Sequence, residues 1–216
     1  MRLLLVLMWL LALPPFAHAG PWPRDNGTWF ITSTIGRERG AAGWQHYAEL
    51  HAEHGFRDRL TLATRLRNTA AGWRGDLVAR WHPLATGPPL GLSAGLRLLP
   101  SGAERAHLLL TAHLGRGFDT RLGNLWTRLD LQTQSRPARL SRPVELSLSG
   151  QVGLRHTSGW LGIMTATTKR RGSFTTLELS PQIGREVGRH TVVLGLSAEP
   201  SAPHNRHLQL SLWSRF

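Results

Sequence analysis

From residue 27 onward, apolar and polar side chains take turns along the chain with a period of two. Leu60, Leu62, Thr64 and Leu66 are separated by Thr61, Ala63, Arg65 and Arg67. Leu90 to Leu98, Ala106 to Leu114, Leu125 to Leu131, Val144 to Leu154 and Leu208 to Leu212 follow the same rule. Successive side chains of a strand point to opposite faces, so this pattern describes strands with one apolar and one polar face. It predicts twelve, near 27–35, 44–54, 58–67, 73–81, 89–98, 104–114, 123–134, 142–155, 159–168, 173–183, 190–198 and 207–216, with ten as the alternative count. Glycines and prolines punctuate the runs, among them Gly43, Gly55, Gly72, Pro88, Gly117, Pro137, Gly172 and Pro203. Gly115-Arg116-Gly117 falls at such a break and reads as a turn, too short to cradle a phosphate. No long helical stripe competes with this reading.

Strands of about 9–11 residues have the length that a tilted membrane-crossing strand requires. Three features favour a closed transmembrane barrel over a soluble sandwich. The apolar face is mostly Leu, Ala and Val, as suits a wall facing lipid. Trp29, Trp44, Trp73, Trp81, Trp126 and Trp160 fall near predicted strand ends, where interfacial girdles belong. The chain also ends inside its last strand, on Phe216. The fold class is therefore all-β: a transmembrane, antiparallel, up-and-down β-barrel with short loops, formed by residues 20–216. The 1–19 segment has a different character. Met1-Arg2, the apolar run Leu3 to Leu13 and Ala17-His18-Ala19 make the pattern of a cleavable signal peptide.

The closing run, Leu208-Gln209-Leu210-Ser211-Leu212-Trp213-Ser214-Arg215-Phe216, resembles the C-terminal signal of Gram-negative outer-membrane β-barrel proteins. The resemblance implies that the barrel-assembly machinery recognises Leu208, Leu210, Leu212 and Phe216 and that the chain resides in the outer membrane. Ser214 departs from the pattern, which often has an aromatic there, and Trp213 stands one place out of phase. The start of the mature chain, Trp22 to Phe30, weakly resembles the opening of uncharacterised envelope proteins.

Charge changes the picture next. Basic residues number 26 against 13 acidic, a formal net charge of +13, and Lys169 is the only lysine. Such a balance suggests nucleic acid as a partner, but export removes that partner, and the absence of cysteine removes disulfides and thiolate metal sites. With both termini periplasmic, the outward connections are 36–43, 68–72, 99–103, 135–141, 169–172 and 199–206. Arg37, Arg39, Arg136, Arg139, Lys169, Arg170 and Arg171 lie in them. Guanidinium forks suit phosphate, so these residues read as contacts to lipopolysaccharide or as ordinary solvated charges.

The polar face predicts a lumen lined by Glu49, His51, Glu53, Arg59, Arg65, Arg67, Arg97, Arg128, Asp130, Glu145, Arg155 and Glu178. That lining reads either as an anion-attracting pore or as a lattice of Arg–carboxylate pairs. Glu49, His51 and Glu53 share one face, but strand spacing sets them about 7 Å apart, too far for one metal ion. Ion pairing with Arg59, Arg65 or Arg67 is the stronger reading. His107 and His113 point inward and His156 lies near Ser158, yet none forms a recognisable motif. No catalytic residue, cofactor or metal is assigned. The chain reads as a monomeric outer-membrane barrel with a structural or passive small-solute role. A lipid- or lipopolysaccharide-modifying barrel enzyme is the first alternative, and a periplasmic β-sandwich binding protein the second.

Overall fold

The computed structural model describes residues 23–40, 43–84, 90–99, 105–137 and 139–216. The 1–19 segment read as a signal peptide lies outside the described residues. Twelve strands follow in chain order: β1 (Trp29–Gly40), β2 (Gly43–Arg57), β3 (Leu60–Thr69), β4 (Gly72–Trp81), β5 (Leu90–Leu98), β6 (Ala106–Thr120), β7 (Gly123–Arg136), β8 (Arg139–His156), β9 (Trp160–Arg171), β10 (Phe174–Val187), β11 (His190–Glu199) and β12 (Ala202–Arg215). Each pairs antiparallel with its sequence neighbours, and β1 pairs with β12, closing the barrel. The closed wall excludes the sandwich alternative. At the seam, the Phe216 N–H donates to the Trp29 carbonyl at 3.0 Å and the Trp29 N–H donates back to Phe216 at 3.0 Å. Closure leaves no unpaired strand edge, which a wall immersed in lipid cannot tolerate.

The alternation resolves as expected. Leu62, Leu66, Leu77, Leu92, Leu96, Leu110, Leu131, Leu148, Leu194, Leu196, Leu208, Leu210 and Leu212 all point outward and are exposed. An apolar band of this extent belongs in hydrocarbon, where each CH₂ withdrawn from water is worth about 0.8 kcal/mol. Trp44 and Trp73 rim this band at one end, and Trp29, Trp81 and Trp160, together with the segment 23–28 and Phe216, mark the other, called here the proximal end.

Three expectations need correction. Trp126 does not join a girdle: it points inward, is 4% exposed, and packs with Leu161, Ile163, Val193 and Trp213. The reason is Gly153, opposite it on β8, where a Cβ would come within 2.1 Å of the indole. The distal connections predicted at 36–43, 135–141, 169–172 and 199–206 are also shorter than expected, because β1, β7, β8, β9 and β12 run on past the apolar band. There the backbone ladder continues, but with no lipid to face, the side chains lose the alternation that marked the strand. Arg37 and Arg39 are consequently strand residues. The Gly115-Arg116-Gly117 turn is likewise absent, since these residues lie within β6. Gly172 and Gly188, each at φ 61°, begin tight turns in the left-handed region that favours glycine.

Candidate functional site

Strand register decides which inward side chains meet. On β2 to β7 it sets charged residues side by side: Glu49 opposite Arg67, Arg65 opposite Asp76, Asp76 opposite Arg97, and His113 opposite Asp130. Asp76 takes both Nε and Nη2 of Arg97, at 2.8 and 2.9 Å, while Arg97 Nη1 donates to Gln134 at 2.7 Å. Toward the proximal end, the buried carboxylate of Glu53 accepts from Arg24 Nε at 2.7 Å and from Arg80 Nη2 at 3.3 Å. Glu49 faces Arg65 at 3.5 Å and Arg67 at 3.8 Å, and Arg67 also holds Glu38. Arg155 pairs with Glu186. Forked guanidinium–carboxylate contacts of this kind are the strong members of the hydrogen-bond family.

The opposite wall, from β8 through β12 to β1, also carries charges, among them Glu145, Lys169 and Glu178 on the distal side and Arg155, Glu186 and Arg215 on the proximal side, but between them its character changes. It presents hydroxyls and amides that bond to one another. Ser149 and Thr167 lie 2.8 Å apart, Ser180 and Ser197 2.7 Å, and Thr34 and Ser211 2.8 Å. Gln151 donates to Thr165 at 3.1 Å. Tyr47 reaches across from β2, over Gly36, to donate to Gln209 at 3.1 Å, and Arg67 stacks 4.1 Å above its ring. Between the two walls lies a cavity of about 920 Å³, running from Arg24 and Asp25 at the proximal mouth to Glu178 and Arg67. Eight-stranded barrels fill their interiors and sixteen-stranded ones hold channels. Here twelve strands leave room for solvent.

Glu49, His51, Glu53, Arg65, Arg67, Arg97, Arg128, Asp130, Glu145, Arg155 and Glu178 face the lumen, whereas Arg59 sits in the 58–59 turn and donates to the Pro83 carbonyl at 3.5 Å. The wall charges form the pair lattice. Of the basic distal residues, Arg37, Arg39, Arg136, Arg170 and Arg171 are exposed, and the side chain of Arg139 lies outside those described. Lys169 and Arg171 stand on the inward-facing side of β9 and pair with Glu178 at 3.0 Å and Glu145 at 2.6 Å.

Sequence reasoning did not name Arg24, Arg74, Asp76, Arg80, Ser93 or Arg215 as lining. Asp76 and Arg80 alternate with Leu77, Ala79 and Trp81, and that signal was enough to place them. Ser93 had the same alternation but no charge to mark it. Arg24 lies in a segment with no alternation. Its guanidinium enters the mouth because residues 23–28 fold back: Gly27 N–H donates to Gly55 at 2.8 Å, and Arg24 N–H donates to Thr61 Oγ1 at 3.2 Å. Among the described residues, Arg74 and Arg215 face the lumen without a salt bridge to a carboxylate.

Neither a protein-family model nor a curated protein sequence matches the chain. Solved structures do. The chain is similar to the KdgM porin, with a TM-score of 0.68 and 11% identity over 87% of this chain and 99% of that one. It is similar to the NanC porin at 0.64, with 8% identity over 85% and 97%. An outer-membrane channel from Pseudomonas putida F1 matches at 0.54, with 13% identity over 93% and 100%. The fold is that of outer-membrane β-barrels.

Proposed function

We propose that the protein is a passive channel for small hydrophilic solutes in the outer membrane of a Gram-negative bacterium, exported with cleavage after Ala19, and that it prefers anions. The observation that carries this reading is the two-walled lumen. A cavity of about 920 Å³ runs between a guanidinium–carboxylate wall and a hydroxyl–amide wall. Arg74 and Arg215 add positive charge that no direct salt bridge among the described residues engages, and a low-dielectric wall focuses such a field on the solute. At mid-height an elongated anion finds charge on one side and neutral hydrogen-bonding groups on the other. The KdgM porin, whose fold this chain shares, is also known in complex with disordered oligogalacturonate, an acidic saccharide.

In this orientation the proximal end is periplasmic and Arg37, Arg39 and Arg170 stand on the outward face of the extracellular rim. There they suit lipopolysaccharide phosphates, while Lys169 and Arg171 serve the pore mouth. Assembly recognises Leu208, Leu210 and Leu212 on the lipid face and Phe216 at the seam.

The test is single-channel conductance in a planar bilayer under a salt gradient. Discrete steps with a reversal potential toward the anion value support the reading. No conductance removes the channel, and cation preference removes the anion part.

A further inference from the structure

Three neighbouring strands bring Ser93 of β5, His113 of β6 and Asp130 of β7 together on the lumen side. The Ser93 hydroxyl lies 2.6 Å from His113 Nε2, and His113 Nδ1 lies 2.8 Å from Asp130 Oδ1. Ser93 and His113 are buried, at 7% and 5% exposure. Asp130 is itself held by Arg128 Nε at 2.9 Å. With Nδ1–H committed to Asp130, Nε2 keeps its lone pair for the Ser93 O–H. Gly91 lies directly opposite His113, and the space above its Cα borders His82 and the Arg80 side chain. Arg80 is the cross-strand neighbour of Ser93 on β4, and its Nε is buried with no hydrogen-bond partner. Beside this group lies a second cavity of about 270 Å³, lined by Ser93, His113, Asp130, Arg80, Arg128 and Thr111.

We propose that Ser93, His113 and Asp130 form a hydrolytic triad inside the lumen, acting on short-chain acyl esters whose alcohol part is anionic. The arrangement supplies each role that acyl transfer requires: a nucleophile, a base bonded to it, a carboxylate orienting the base, and an unused donor where negative charge develops. Ser93 Oγ attacks the ester carbonyl and passes its proton to His113 Nε2, and the tetrahedral oxyanion faces Arg80 Nε. Collapse breaks the ester C–O bond. The departing alkoxide takes the proton from His113 and leaves as the alcohol, with the acyl group on Ser93. Water then attacks the acyl carbon and gives a proton to His113. The second collapse returns that proton to Ser93 and releases the acid, so the sum is ester plus water to acid plus alcohol.

The size of the cavity limits the acyl group to a few carbons, below the range of drug-sized pockets. Arg80 and Arg128 favour a negatively charged substrate. Membrane lipids are excluded, because the outward faces of these strands are Leu92, Leu110, Leu129 and Leu131, and the wall separates the triad from acyl chains. The activity therefore differs from lipid modification and acts on solutes in the lumen.

The test uses the folded full barrel in detergent with p-nitrophenyl acetate and with a fluorophosphonate probe. Hydrolysis should be measurable, and the probe should label one residue, identified as Ser93 by mass spectrometry. Ser93→Ala and His113→Gln should each lower the rate by about 100-fold or more, with folding checked by the heat-induced gel shift. Should Ser93→Ala not fold, Ser93→Cys keeps the size. Its thiol should alkylate with iodoacetamide at neutral pH at least tenfold faster than in the Ser93→Cys, His113→Gln double variant. Absence of labelling at Ser93, rates unchanged by Ser93→Ala, or equal alkylation in the two cysteine variants would leave only a structural hydrogen-bond chain and overturn the proposal. Conductance is read separately: a conducting, non-hydrolysing barrel overturns the triad alone, and a hydrolysing, non-conducting one overturns the channel alone.

Discussion

Replacing Glu53 by Gln isolates the energetics of the charged wall. Its carboxylate is 7% exposed, receives Arg80 at 3.3 Å and Arg24 at 2.6 Å, and has His51 at 3.3 Å. Glutamine keeps the shape and one acceptor but removes the charge. Arg80, only 8% exposed, is then left as a buried cation without a counter-ion. Removing one member of a buried pair costs about 3–5 kcal/mol. The lumen holds solvent, so the lower end applies. Arg24 is 28% exposed and can swing into water, so its share is under about 1 kcal/mol. The expected loss is about 3 kcal/mol, read as a lower urea midpoint at unchanged slope in lipid vesicles by tryptophan fluorescence. Adding Arg80→Met to Glu53→Gln should restore about 1–3 kcal/mol, since the stranded charge is then gone. A Glu53→Gln barrel within about 0.5 kcal/mol of the parent would refute the reasoning, because Arg80 would then have been solvated all along.

Further outcomes follow from the same contacts. Gly153→Val should displace Trp126, because the added Cβ falls within 2.1 Å of the indole. Overpacking of this kind costs about 1–3 kcal/mol, and a shift in tryptophan emission should accompany it. Leu194→Arg, on the outward face of β11, should cost about 2–4 kcal/mol in vesicles if the wall faces lipid. An effect under 1 kcal/mol would argue against that placement. His82, just beyond β4 at the proximal rim, has its pKa pushed down to about 4 by burial first, then by the positive charges of Arg80 and His113. The folded state therefore resists protonation that the unfolded chain accepts from pH 6.5 downward, and stability falls as pH drops from 6.5 to 4, by up to about 3 kcal/mol. His82→Asn should flatten that part of the urea-midpoint profile, and parallel profiles for the two proteins would contradict the assignment.

How much of this was written in the sequence depends on which geometric relation is asked for. Alternation reports which face a side chain takes, and the signal was present even for Asp76 and Arg80, which the reading of the sequence left unnamed. It fails where the reason for alternating disappears. The extension of β1 beyond the apolar band carries charge on both faces, Arg37 and Arg39 outward and Glu38 inward, so Arg37 and Arg39 read as loop although they are paired with β2 and β12. Trp126 shows the complementary failure. A tryptophan near a strand end fits a girdle, and only its opposition to Gly153 reveals that it fills an interior notch. Which inward residues meet is a further step, because it depends on register, and register depends on the connections between strands. The β5–β6 register sets Gly91 against His113, and the β6–β7 turn sets His113 against Asp130. A one-residue slip in either hairpin would turn one partner to the lipid face and disperse the group. Ser93, His113 and Asp130 stand far apart in the chain, each with an unremarkable local sequence. Their chemistry exists only as a relation among three strands, so a motif search along one strand could not have found it. The candidate pore was legible as a charged face, whereas the candidate triad required the closed wall.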